Sequence, residues 1–123
     1  MAMNYLLDTN ILIDIHAGKT MVGIEAGYYA YSVISEIELL SWSNITPTQE
    51  RELRWLLNQF QRVDLNAAVC EAAIRLRRDC QLKVPDAIIA ASAATQNAVL
   101  LTNDRQLLGV AGLRSQSVEI QHG

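Results

Sequence analysis

Apolar residues in this chain come in short blocks closed by polar or small residues, and the blocks alternate between two periods. "NYLLD" at 4–8 and "AVLLT" at 98–102 are brief, nearly unbroken apolar runs, which predicts strands buried on both faces. "AYSVIS" at 30–35 has the small and β-branched character of a further strand, "RVDL" at 62–65 suits a short one, and "SVEI" at 117–120 a last one. Between them the period lengthens. "NILIDIHAG" predicts a short helix stopping at Gly18, and "EIELLSW" has helical spacing through Ile37, Leu40 and Trp42.

The plainest helix start is "TPTQERELRWLLNQF" at 46–60. Thr46 can cap, Pro47 suits the first helical position, and Gln49 stands where a capping box needs it. Leu53, Leu56, Leu57 and Phe60 then form the apolar stripe. Asn66 can cap the next helix, which turns Val69, Ala73, Leu76 and Cys80 inward, and "VPDAIIAASAATQ" begins another at Pro85 whose small residues allow close packing on a sheet. Strands alternating with helices predict an α/β fold with a central, mostly parallel sheet, its helices on both faces and its strand ends gathered along one edge.

Composition narrows the class. At 123 residues, 50% hydrophobic and 19% charged, the expectation is one globular domain spanning 1–123, with no repeat or low-complexity tract. No apolar run has the length of a membrane span and the first residues lack a basic-then-apolar leader, so the expected location is the cytoplasm and no membrane partner is sought. Cys70 and Cys80 lie about 15 Å apart along one helix, too far for a disulfide, and read as small core residues in a reducing compartment. His16 and His122 stand alone, without zinc-ligand spacing. A net charge of −3 excludes a protein that coats nucleic acid through a general basic field, but leaves open one that meets phosphate at a local metal site.

Four acids occupy comparable places. Asp8 ends the first strand, Glu38 lies a few residues into the helix after the second, Asp86 opens the helix at Pro85, and Asp104 follows the strand ending at Thr102. Singly, each has an ordinary reading: turn residue, helix cap or surface acid, with Glu36 a competitor to Glu38. If the first and fourth strands are neighbours, the four converge at the carboxyl edge, where open α/β sheets build their sites. Gathered carboxylates repel and call for protons or cations, and hard oxygen donors without His or Cys suit Mg²⁺ or Mn²⁺. Such ions take phosphate oxygens, which points to phosphate-ester chemistry. Thr9, Asn10, Thr102 and Asn103 can support these acids by hydrogen bonds or can simply cap and turn the chain.

"LLDTNILID", "SVISEIELL", "VPDAIIAASA" and "LLTNDRQL", in that order, resemble the PIN-domain ribonucleases, especially the VapC-type toxins of bacterial toxin-antitoxin pairs. The motifs run from residue 6 to about 108, and "VAGL" at 110–113 resembles the family's ending. The resemblance implies a three-layer α/β/α fold and Mg²⁺- or Mn²⁺-dependent endoribonuclease activity. It further implies a homodimer, and a cognate antitoxin that inhibits the site. Its catalytic and metal-binding acids fall on Asp8, Glu38, Asp86 and Asp104, with Ser32 and Ile34 fixing the register of Glu38. RNA as substrate comes only from the resemblance.

Two places depart from the family pattern: Gln106, Leu107 and Leu108 stand where many members carry a further acid and a phenylalanine, and Ser41 and Trp42 where many carry glycine. Arg105 and the group Arg75, Arg77 and Arg78 are candidate phosphate contacts, though mixed charge of this kind commonly marks a solvated face. Two other readings stay open. A phosphatase with an aspartyl nucleophile would favour a second Asp where Asn10 stands and would need a catalytic Lys, and a catalytically silent interaction module would keep the fold without the chemistry.

Overall fold

The computed structural model describes residues 4–20 and 27–121; His122 lies outside them. Leu6 and Leu7 carry the architecture between them. Successive strand side chains point to opposite faces, so Leu6 enters one hydrophobic cluster and Leu7 the other, both fully buried. Their strand, β1 (Asn4–Leu7), therefore lies at the centre, flanked by β2 (Tyr28–Ser32) and β4 (Val99–Leu101), with β3 (Gln61–Val63) and β5 (Ser115–Gln116) at the two margins. All four pairings are parallel, in the order β3-β2-β1-β4-β5.

Among the described residues six helices supply the outer layers: α1 (Thr9–His16), α2 (Val33–Leu40), α3 (Pro47–Leu57), α4 (Ala67–Cys80), α5 (Val84–Thr95) and α6 (Arg105–Leu108). Leu6, Leu100 and Val63 pack with Val69, Ala72 and Ala73 of α4, Ala87 and Ile88 of α5, and Leu107 of α6. On the opposite face Leu7, Leu101, Tyr29 and Tyr31 pack with Ile11 and Leu12 of α1, Leu39 of α2, and Leu53 and Leu57 of α3. The result is the expected three-layer α/β/α arrangement. Every residue of α5 from Ala87 to Ala93 is buried, and its small side chains let it make its most extensive contact with α4. The buried Ser92 hydroxyl is satisfied on Ile88 O at 2.7 Å.

The capping box of α3 forms as expected: Thr46 Oγ1 accepts from Gln49 N at 3.1 Å and Gln49 Oε1 accepts from Thr46 N at 3.0 Å. Asn66 caps α4 through Val69 N, and Gly18, at φ +73, follows the end of α1 in a conformation that disfavours other residues.

Several boundaries differ from the sequence reading. β2 stops at Ser32, whose hydroxyl accepts from Ile34 N and starts α2 three residues earlier than the β-branched run predicts. That earlier start changes the helix phase: Ser35 and Leu39 face inward, while Ile37 and Trp42 are half exposed or more. The last strand is Ser115–Gln116 rather than 117–120, and Phe60 packs from beyond the end of α3. Cys70 is exposed, because α4 turns its neighbours Val69, Ala72 and Ala73 to the core, so only Cys80 packs against it. Among the described residues no helix is long and apolar enough to cross a membrane.

Candidate active site

Leu7 pairs with Leu101 in register, so the residues that follow them, Asp8 and Thr102, emerge side by side at the carboxyl edge. Asp8 N continues the ladder by donating to Leu101 O at 3.0 Å. The Asp8 carboxylate is 6% exposed and held at both oxygens: Oδ1 accepts from Thr9 N at 2.8 Å, capping α1, and Oδ2 accepts from the Thr102 hydroxyl at 2.7 Å. The same Thr102 oxygen accepts from Asp104 N at 3.0 Å, so one buried hydroxyl ties two of the four acids together.

Asp104 caps α6 through Oδ1, which accepts from Gln106 N at 2.8 Å and Leu107 N at 3.4 Å. Asp86 lies in the first turn of α5, behind a Lys83 N-cap that makes no side-chain cap bond. Three helices thus begin around this edge, and their N-terminal dipoles favour negative charge there. Glu38 reaches in from α2, where its Oε1 accepts from the Thr9 hydroxyl at 2.8 Å; that hydroxyl also meets Ser35 Oγ at 2.7 Å.

Electrostatic repulsion among the acids is felt at Asp8 and Asp86. Burial pushes the Asp8 carboxyl above its ordinary value; the Thr102 and Thr9 hydrogen bonds oppose the rise, while the charges of Asp104 and Glu38 add to it. Burial likewise raises Asp86, helped by Asp104 and Asp8 and opposed by Lys83. Glu36 belongs elsewhere: it pairs with Arg62 at 3.0 Å and accepts from the Tyr31 hydroxyl at 3.4 Å.

The supporting residues divide. Thr9 and Thr102 hold acids directly, whereas Asn10 is exposed. Asn103 turns away: its Nδ2 donates to Val118 O at 3.0 Å and its Oδ1 accepts from Val118 N at 2.8 Å, pinning the C-terminal segment. Ser35, fully buried beneath Thr9, escaped the sequence reading, although a serine one helical turn before Glu38 was a signal. Arg75, Arg77 and Arg78 are exposed on α4, and Arg105 is exposed immediately after Asp104.

An all-carboxylate donor set with unbalanced charge fits a hard divalent cation. Among the described residues no three acidic, His or Cys side chains stand close enough together to hold a metal ion as they are placed. An ion held by fewer of these acids would keep part of its water shell and leave room for phosphate oxygens.

The PIN domain family model matches residues 5–113. The chain belongs to the PIN-domain family. A toxin-antitoxin complex from Klebsiella pneumoniae is similar at 30% identity and TM-score 0.77, covering 88% of this chain and 93% of that one. The fold is also that of VapBC2 from Rickettsia felis bound to a promoter DNA fragment, at 22% identity and TM-score 0.80, covering 95% and 100%. DNA-bound VapBC from Salmonella typhimurium has 19% identity and TM-score 0.79, covering 94% and 98%. Among curated proteins no sequence matches significantly. The resemblance read from four motifs is thus met by a PIN domain with those motifs at one sheet edge.

Proposed function

We propose that this PIN domain is a metal-dependent endoribonuclease and the toxin of a toxin-antitoxin pair. The observation that carries the reading is the gathering of acids at the carboxyl edge, where the Thr102 hydroxyl joins Asp8 to Asp104 and the Thr9 hydroxyl holds Glu38, while burial and then the neighbouring acids raise Asp8 and Asp86. Maintaining that charge in an enzyme working near neutral pH calls for a compensating cation. The likeness to toxin-antitoxin complexes supports a small protein antitoxin as the partner, and a homodimer and a cytoplasmic location go with the reading.

Asp8, Asp86 and Asp104 would hold Mg²⁺ or Mn²⁺, directly or through water. When bound, such an ion supplies charge neutralisation for a phosphodiester and acidifies a water. The protein's own contribution is order. Thr102 fixes the Asp8 carboxylate, Thr9 N keeps Oδ1 aligned, and the Thr9 hydroxyl aims Glu38. Glu38, the most exposed of the four, is placed to orient the attacking water or accept its proton, or to hold a second ion.

The test is cleavage of mixed structured RNAs by antitoxin-free protein with Mg²⁺ or Mn²⁺, with EDTA, and by Asp8→Asn prepared identically. Activity lost in both EDTA and the variant is expected; equal cleavage by Asp8→Asn overturns the assignment.

A further inference from the structure

Trp42 stands outside the four motifs and follows α2 with 51% of its surface exposed. It lines a groove of about 440 Å³ together with Thr9 and Glu38. The groove therefore shares two residues with the acidic site, and Thr9 is the chain neighbour of Asp8. Ile13, Leu39 and Leu53 make its apolar walls, and His16, Ser41 and Gln49 add polar atoms. No Lys or Arg lines it among the described residues.

We propose that this groove is a nucleobase subsite in which Trp42 stacks on an RNA base next to the phosphate held at the acids. The inference rests on the nuclease reading for the identity of its occupant. Charge favours a base over a phosphate: a groove lined by Glu38 and by no Lys or Arg among the described residues disfavours an anion, but the face of a base is neutral and stacks on an indole. Unstacked bases beside a cleavage site are the part of an RNA that aromatic side chains recognise, and the adjoining serine, glutamine and histidine supply donors and acceptors for a base edge. The groove thereby gives this chain a means of selecting sequence that the four acids, which see only phosphate and water, do not have.

The test uses the full chain with Trp55→Phe, so that Trp42 is the sole tryptophan, and Asp8→Asn to prevent turnover. A pool of mixed-sequence single-stranded RNA 12-mers is titrated in the presence of Mg²⁺. Expected is quenching of Trp42 emission and, by anisotropy of the same RNA carrying a terminal fluorescein, which also reads the variants without tryptophan, an affinity reduced about tenfold by Trp42→Ala, as loss of one stacked base requires, and largely kept by Trp42→Phe. An abasic ribose-phosphate 12-mer should bind the protein with and without the Trp42→Ala substitution equally. Unchanged affinity in Trp42→Ala, with an unaltered melting temperature, overturns the subsite. So does binding of the RNA pool without any quenching of Trp42, which would leave the groove to a protein partner. Because binding is read without cleavage, an RNA that quenches Trp42 while the parent enzyme cleaves nothing removes the nuclease reading and leaves the subsite standing.

Discussion

The Thr102 hydroxyl donates to Asp8 Oδ2 at 2.7 Å across 94 positions of sequence, and it accepts from Asp104 N at the same time. Both strands end there because Leu7 and Leu101 are register partners. Replacing Thr102 by Val keeps the β-branched shape but removes the bridge, leaving a buried carboxylate oxygen and a backbone donor short of a partner. A loss of about 1–3 kcal/mol is expected from denaturant unfolding. Because that hydrogen bond holds the Asp8 carboxyl down, its removal should also move the acid limb of the cleavage pH profile upward. A profile that stays put while stability falls would separate Thr102 from the chemistry.

Asp86 makes the opposite case, in which the native residue costs stability. Its carboxyl, like that of Asp8, sits above the ordinary value of 3.8, chiefly through burial and then through neighbouring acids. A folded-state value above the unfolded one means that the folded protein binds the proton more tightly. The stabilising contribution is full below 3.8 and is lost as pH rises through the raised value. In EDTA, Asp86→Asn should therefore melt like wild type in acid and increasingly above it as pH approaches 7. It should also cleave RNA about a hundredfold more slowly or worse. Melting curves at several pH values test the sign, and a variant less stable at pH 7 would show that Asp86 contributes structurally.

The places of Asp8, Asp86 and Asp104 were legible from sequence because each follows or opens an element with a clear pattern, an apolar run before Asp8 and Asp104 and a proline-started helix around Asp86, whereas Glu38, inside α2, was told from Glu36 only by the family resemblance. Parallel pairing of β1 with β4 then brings Asp8 and Asp104 together without further information. What escaped was settled by side-chain hydrogen bonds that no period reveals. Val33 and Ile34 have strand propensity, yet the Ser32 cap makes a helix there, and the phase of Ile37 and Leu39 follows from that one bond. Asn103 read as a site residue because it sits between Thr102 and Asp104. Successive residues at a strand end point different ways, and its amide faces Val118.

Thr9 links the cleft to the buried layer beneath it, since its one hydroxyl touches both Glu38 and Ser35. Thr9→Val should leave the sheet and Asp8 cap in place, the cap donor being a backbone amide, while freeing Glu38 to rotate. A drop of about tenfold to a hundredfold in cleavage is expected, the usual scale for an outer residue that orients a ligating or reacting group. Thr9→Ser retains the hydroxyl and should recover most of the rate. Equal loss in both variants would assign Thr9 to packing through its methyl group.

Asn103 and Val118 reproduce a pair of ladder hydrogen bonds after β5 has ended, the side-chain amide standing in for a strand. Val118 is buried in the cluster built on Leu7 and Leu101, so the clamp holds an apolar plug over that face. Asn103→Ala should release the segment and cost about 1–2 kcal/mol, two net hydrogen bonds. It should speed amide hydrogen exchange at Val118 far more than at Leu101. Cleavage measured well below the melting temperature should be near that of wild type, because neither amide atom faces the acids. Asn103→Asp, which keeps the acceptor for Val118 N but loses the donor to Val118 O, should fall between the two in stability. A large loss of activity in Asn103→Ala without loss of protection at Val118 would return this residue to the active site.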